Sequence, residues 1–173
     1  NYGEARRINA GSPEPLWTGG FNTELSWRGI SLGIQLEARY GNKVLNQDRS
    51  LFEADGSYGD SNIWKGAMNY WKKPGDTNVL PKPVYNNSSN SSAISTRYLE
   101  DGSYLRIKDI TLAYSLPSKW TKKALMSGVR IYASALNLYT FHNMNYWDPE
   151  HGTSGVTIIS YPMTRSMIVG VDI

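Results

Sequence analysis

Residues 30–40 read ISLGIQLEARY. Ile30, Leu32, Ile34, Leu36, Ala38 and Tyr40 share one parity; Ser31, Gly33, Gln35, Glu37 and Arg39 take the other. A repeat of two is the signature of a strand, because successive side chains leave opposite faces of the pleat. The pattern leaves open which side meets water. In a soluble sandwich the aliphatic parity is the core. In a transmembrane barrel it faces lipid, and Gln35, Glu37 and Arg39 line a wet lumen.

Working outward, GFNTELSW (20–27) alternates in the same way, and Arg28-Gly29 links the two stretches as a two-residue hairpin. Residues 103–117, SYLRIKDITLAYSLP, resume the pattern. Leu105 and Ile107 lie on one parity, whereas Ile110, Leu112 and Tyr114 lie on the other, so a bulge is predicted near Lys108-Asp109. VRIYASALNLYTF (129–141) and YPMTRSMIVGVDI (161–173) supply two more strands. The expected strands are 18–28, 30–41, 102–116, 128–140 and 161–173. Between them lie a long excursion, 42–100, and a shorter one, 141–160. Ser118 is positioned to cap a short helix over KWTKKALM, with Trp120 and Leu125 packing it and three lysines in water. The connections run short, long, short, medium, the rhythm of an outer-membrane protein with short periplasmic turns and longer outer loops. That rhythm puts the C-terminus in the periplasm.

Composition narrows the classes. The 173 residues carry 18 basic and 15 acidic side chains in no block. No clustered basic face exists for nucleic acid. Cysteine is absent, which excludes a disulfide scaffold and a Cys-ligated zinc site. Six Trp and twelve Tyr against three Phe suit a membrane boundary, sugar stacking or a protein interface. No stretch reaches the roughly 18 apolar residues of a spanning helix. The polar opening NYGEARRINAGSPEP is no signal peptide, so a processed or partial chain is expected.

Candidate chemistry is sparse. Asp148 and Glu150 in WDPEH sit two apart, as a carboxylate pair for acid–base work would, but no partner is legible in sequence. His142 and His151 join them as metal-ligand types at irregular spacing, which reads as loop surface. EADGSYGD (53–60) lacks the spacing and final carboxylate of a calcium loop. No enzyme, metal or cofactor is expected. Trp64, Tyr70, Trp71, Tyr146 and Trp147 are the candidate ligand or lid contacts, with loop anchoring as the plainer alternative. Trp17, Trp27, Tyr40 and Tyr139 fall at strand ends, where an interfacial aromatic belt would sit. The Asn-x-Ser matches at Asn86, Asn87 and Asn90 read as a flexible polar run.

A set of motifs in order carries a resemblance. RYLEDGSYLRIKDITLAYSLP (97–117), VRIYASALNLYTF, NYWDPE, YPMTRSMIVGVDI and PLWTGGFNTELSWRGISLGIQLEARYGN together resemble the C-terminal part of the SusC/RagA family of TonB-linked outer-membrane transporters. Thr164 stands where that family usually has a second proline, and Met167 where it has an aromatic. The resemblance implies an all-β fold: an antiparallel up-and-down transmembrane β-barrel segment, about five C-terminal strands of a larger plugged barrel, with one short periplasmic helix. Ile30, Leu32, Ile34, Leu36, Val169 and Val171 would then face outer-membrane lipid. It further implies import of glycans or peptides with a SusD-like surface lipoprotein as lid, TonB acting through a more N-terminal part, and no cofactor. The rivals are a soluble carbohydrate-binding β-sandwich, in which the aliphatic parity packs inward, and a structural or adhesive surface protein built on the same strand pattern.

Overall fold

A computed structural model describes residues 2–59, 62–77, 79–150, 154–159 and 161–173. The chain divides into two compact units, one of residues 15–42, 102–150 and 161–173, the other of residues 1–14, 43–101 and 151–160.

The first unit is a five-stranded antiparallel sheet. Its strands are β1 (Trp17–Trp27) and β2 (Ile30–Tyr40), followed by β5 (Tyr104–Ser115), β6 (Arg130–His142) and β8 (Ser166–Asp172), and they stand in the order β1-β2-β5-β6-β8. β1 and β2 pair in unbroken register from Trp17↔Tyr40 to Trp27↔Ile30. The turn between them places Arg28 at φ 50° and Gly29 at φ 87°, the doubly positive geometry of a tight hairpin. A Cβ on Gly29 would come 2.9 Å from the Ser115 carbonyl, so the position needs glycine twice over.

The register of β5 slips against β2 between Gln35 and Leu36, and against β6 between Ile107 and Asp109. Against β2, Lys108 is the extra residue, which is why the apolar parity of β5 changes there. With the slip, Leu105, Ile107, Ile110, Leu112 and Tyr114 join the aliphatic residues of β2 on one face. Glu37, Arg106, Asp109 and Thr111 share the opposite face. Ser134 and Thr111 both donate to the Asp109 carboxylate, at 2.7 and 2.8 Å.

The apolar face is uncovered. Phe21, Leu112 and Val169 are 57%, 53% and 78% exposed, and Leu25, Ile30, Ile131 and Val171 are exposed as well. Leu32, Ile34 and Leu36 are half-buried by their own sheet neighbours. An inward-packed sandwich core is therefore absent from the described residues of this unit. Between β5 and β6, α2 (Ser118–Thr121) runs into a short 3-10 turn. Its N-cap is Pro117, with no side-chain cap, rather than Ser118. Trp120 and Leu125 are 60% and 97% exposed, so neither packs the helix.

The second unit holds β3 (Lys43–Asn46), β4 (Leu99–Asp101), β7 (Val156–Thr157) and the helix α1 (Gln47–Phe52). β3 is central, antiparallel to β4 and parallel to β7. Its interior is largely polar: Asn46, Asp48, Ser50, Glu53, Asp55, Glu100 and Thr157 are buried around Val44 and Tyr98. Asn46 caps α1 by accepting the Arg49 amide at 3.3 Å. Asp48 accepts the Ile159 amide on both carboxylate oxygens, at 2.9 and 3.1 Å. Arg49 donates to Glu53 at 2.9 and 3.0 Å and to Glu100 at 2.7 Å. Burial opposes its charge, but the two carboxylates outweigh that and raise its pKa.

Two expectations are thereby corrected. The chain does not form an all-β transmembrane barrel segment: β1 and β8 are both edges, the five-stranded sheet does not close, and a second, mixed sheet lies outside any up-and-down order. A barrel needs its first and last strands paired at a fixed tilt and stagger, and β1 and β8 are not paired with each other. Nor is the helix content a single short helix, since α1 joins α2. Among the described residues no helix is long and apolar enough to cross a membrane, a finding that bears on helices alone.

Candidate binding cleft

The polar face of the first unit converges on Arg106. The strand parity of β5 sends this side chain to the polar face, where it is fully buried. Its Nε donates to Thr140 Oγ1 on β6 at 2.9 Å. Its two terminal nitrogens bind Asp148 and Glu150, both on the segment that follows β6. A planar guanidinium with five donors suits this task, because one side chain can hold two carboxylates and a hydroxyl in fixed directions. Lys108 Nζ extends the network, 3.0 Å from Glu37 and 3.5 Å from Glu150. Tyr104 donates its hydroxyl to the other Glu37 oxygen at 2.8 Å.

The segment Asn143–Glu150 is thus tied to the sheet at its far end. Met144 and Pro149 are buried, while Tyr146 is 46% exposed and adopts a left-handed φ of 71°. Beside it opens a cleft of about 300 Å³ lined by Thr140, His142, Tyr146, Trp147, Asp148 and Arg165, with Asn137, Pro162 and Met163 completing the wall. Asn137, at φ 50° where β6 carries extra residues against β5, donates its side-chain amide to the Thr164 carbonyl at 3.2 Å. That bond fixes the Arg165-bearing segment against β6. The cleft therefore combines aromatic surface, amide and imidazole donors, a guanidinium, and one carboxylate engaged by Arg106.

The structure brings together two of the five aromatics singled out in the sequence, Tyr146 and Trp147, in one cleft. The other three belong to the second unit. Trp64 packs edge-on against Phe52, with ring centroids 6.0 Å apart. Tyr70 bridges Leu80 with Lys72 over its ring, and Trp71 is partly exposed. Asp148 and Glu150 serve as ligands of Arg106. His142 lines the cleft, and His151 lies outside the described residues. Among the described residues no three His, Asp or Glu side chains converge as a metal site. In EADGSYGD, Asp60 is outside the described residues; Asp55 accepts Ser57 at 2.7 Å and Asn87 at 2.9 Å. Gln35 is exposed on the polar face, with Glu37 and Arg39 half-buried beside it. Sequence reasoning did not single out Arg106. The available signal was an arginine on the polar parity of a strand, with a D-P-E segment downstream.

No protein-family model matches the chain. TonB-dependent receptor P3 of Formosa agariphila is 30% identical over 97% of the chain and 17% of its own length. TonB-dependent receptor P26 of the same organism is 27% identical over 94% of the chain. Among solved structures, the RagAB peptide importer in its closed-closed state superposes with a TM-score of 0.80 at 31% identity, over 94% of this chain and 18% of that one. Its open-open state gives a TM-score of 0.78 at 29% identity. The chain is a remote homologue of TonB-dependent receptors. It spans about a sixth of the length of the relatives it matches, so the correspondence is with a fragment of each. These relatives are TonB-dependent receptors and a peptide importer.

Proposed function

We propose that the chain is the C-terminal part of a SusC/RagA-type importer, and that it takes up oligosaccharides or peptides at the bacterial outer membrane. The observation that carries this reading is the five-stranded sheet itself. One face is aliphatic and uncovered, the other polar, hydrogen-bonded and provided with a cleft. An uncovered apolar face of this extent is unfavourable in water and favourable against acyl chains. In this reading Ile30, Leu32, Ile34, Leu36, Val169 and Val171 contact lipid. Gln35, Glu37 and Arg39 lie on the aqueous side, and the C-terminus is periplasmic. Trp17, Trp27, Tyr40 and Tyr139, exposed on the same apolar face near strand ends, lie at the headgroup boundary.

Tyr146 and Trp147 serve as cargo contacts, since aromatic rings stack on sugars and on peptide side chains alike. Trp64, Tyr70 and Trp71 belong to the surface that meets a SusD-like lipoprotein. Energy comes from TonB. Uptake tests the proposal: cells lacking the protein should fail to accumulate fluorescently tagged oligopeptides or oligosaccharides above the porin size limit. Dissipating the proton gradient should reproduce that loss. Undiminished uptake of both cargo types in the deleted strain would refute the reading.

A further inference from the structure

We infer that the cleft beside Trp147 is a site for a carboxylate attached to an apolar or ring-bearing group. This rests on the cargo reading above and specifies its chemistry. Three features of the cleft lead there. Its one carboxylate, Asp148, is bound from the sheet side by Arg106, so its charge is already compensated within the protein. Its one guanidinium, Arg165, is exposed and forms no ion pair among the described residues. The surrounding wall is amphipathic: Tyr146, Trp147 and Met163 offer apolar surface, while His142 and Asn137 add ring and amide nitrogens.

The segment carrying Arg165 is also held in place. Asn137, turned by its left-handed backbone, fastens the Thr164 carbonyl one residue before it. Arg106 likewise fixes Asp148, the neighbour of Trp147 in the cleft lining. The segments that carry Arg165 and Asp148 are held before a ligand arrives, which lowers the ordering cost of binding. A guanidinium binds a carboxylate by paired, charge-assisted hydrogen bonds, and the flanking rings cover the ligand's apolar part. A neutral sugar or an amidated peptide end would leave Arg165 unpaired.

Two ligand sources share this chemistry: the C-terminus of a peptide and a uronic acid unit of an oligosaccharide. The purified protein in detergent micelles is titrated calorimetrically with a phenylalanine-terminated tripeptide and with its C-terminal amide. A parallel pair is trigalacturonate and its methyl ester. In at least one pair the acid should bind about tenfold more tightly, as expected for a hydrogen-bonded charge pair. Arg165→Gln should bring the acid down to the neutral form's affinity, and Arg165→Lys should keep part of the preference. Arg165 is exposed, so these variants should fold as the parent does, which circular dichroism checks. A preference in the peptide pair assigns the peptide source; one in the sugar pair assigns the uronate. Equal binding of acid and neutral forms in both pairs, no binding in either, or a preference that survives Arg165→Gln overturns the inference. If uptake depends on the protein while acid and neutral forms bind alike, the carboxylate site fails and the import reading stands. If uptake proves independent of the protein, the import reading fails and the titration still decides the site.

Discussion

The two units of this chain solve opposite problems. The five-stranded unit pairs its backbone strand to strand between two open edges and leaves its apolar face bare. The mixed-sheet unit buries Asn46, Asp48, Asp55, Glu100 and Thr157 and holds them through specific donors and acceptors. Neither relies on an ordinary apolar core. The first needs a surrounding that accepts aliphatic side chains, and the second depends on the pairing of its buried carboxylates and amides, since an unpaired group costs about 1–3 kcal/mol. A substitution should therefore harm each unit by a different route.

The largest effect is expected at Arg106. Arg106→Met removes the cation from beneath Asp148 and Glu150, and breaking a buried pair from one side costs about 3–5 kcal/mol. Denaturant unfolding in micelles should show that loss, and hydrogen exchange should rise across Asn143–Glu150. Next comes the bare face. Val169→Lys should destabilise the protein in lipid bilayers by about 2–4 kcal/mol if that side chain meets acyl chains. Gln35→Lys, on the opposite parity, should stay within about 0.5 kcal/mol.

In the mixed-sheet unit, Asp48→Ala orphans the Ile159 amide and should cost about 2 kcal/mol. Faster exchange of the Ile159 amide would report it, with the β1–β2 ladder unchanged. The smallest effect concerns pH. Burial, the main cause, raises the Tyr98 phenol above its ordinary 10.0. The protonated phenol thus favours the folded state. Its contribution is complete below about pH 10 and is lost as pH climbs through the raised value. Tyr98→Phe should flatten the alkaline limb of the stability curve.

The two units also differ in how much the sequence discloses. Residues that alternate by two, as in ISLGIQLEARY, lie in strands, because a single buried or bare face imposes its period directly. The parity change at Lys108 likewise corresponds to a register slip. The expectation of an up-and-down barrel segment fails because sheet order and closure depend on strand number and stagger, which no local pattern carries. The mixed-sheet unit was illegible for another reason: its interior is made of Asn, Asp, Ser and Glu, residues that read as loop wherever they occur. Gly56 shows the constraint that hides there. It sits at φ 90°, and a Cβ would meet the Val84 carbonyl at 2.5 Å. The cleft was half legible. Tyr146 and Trp147 stood out as aromatics, but Arg106 finds its acidic partners 42 and 44 residues away.

In the proposed reading the bare aliphatic face of the five-stranded sheet meets lipid. Nitroxide labels placed singly at Val169, Leu36 and Gln35 in bilayer-reconstituted protein test it most directly, through relaxation by oxygen and by a water-soluble nickel chelate. The account predicts oxygen-dominated relaxation at Val169 and Leu36 and nickel-dominated relaxation at Gln35. Nickel-dominated relaxation at all three positions would contradict it.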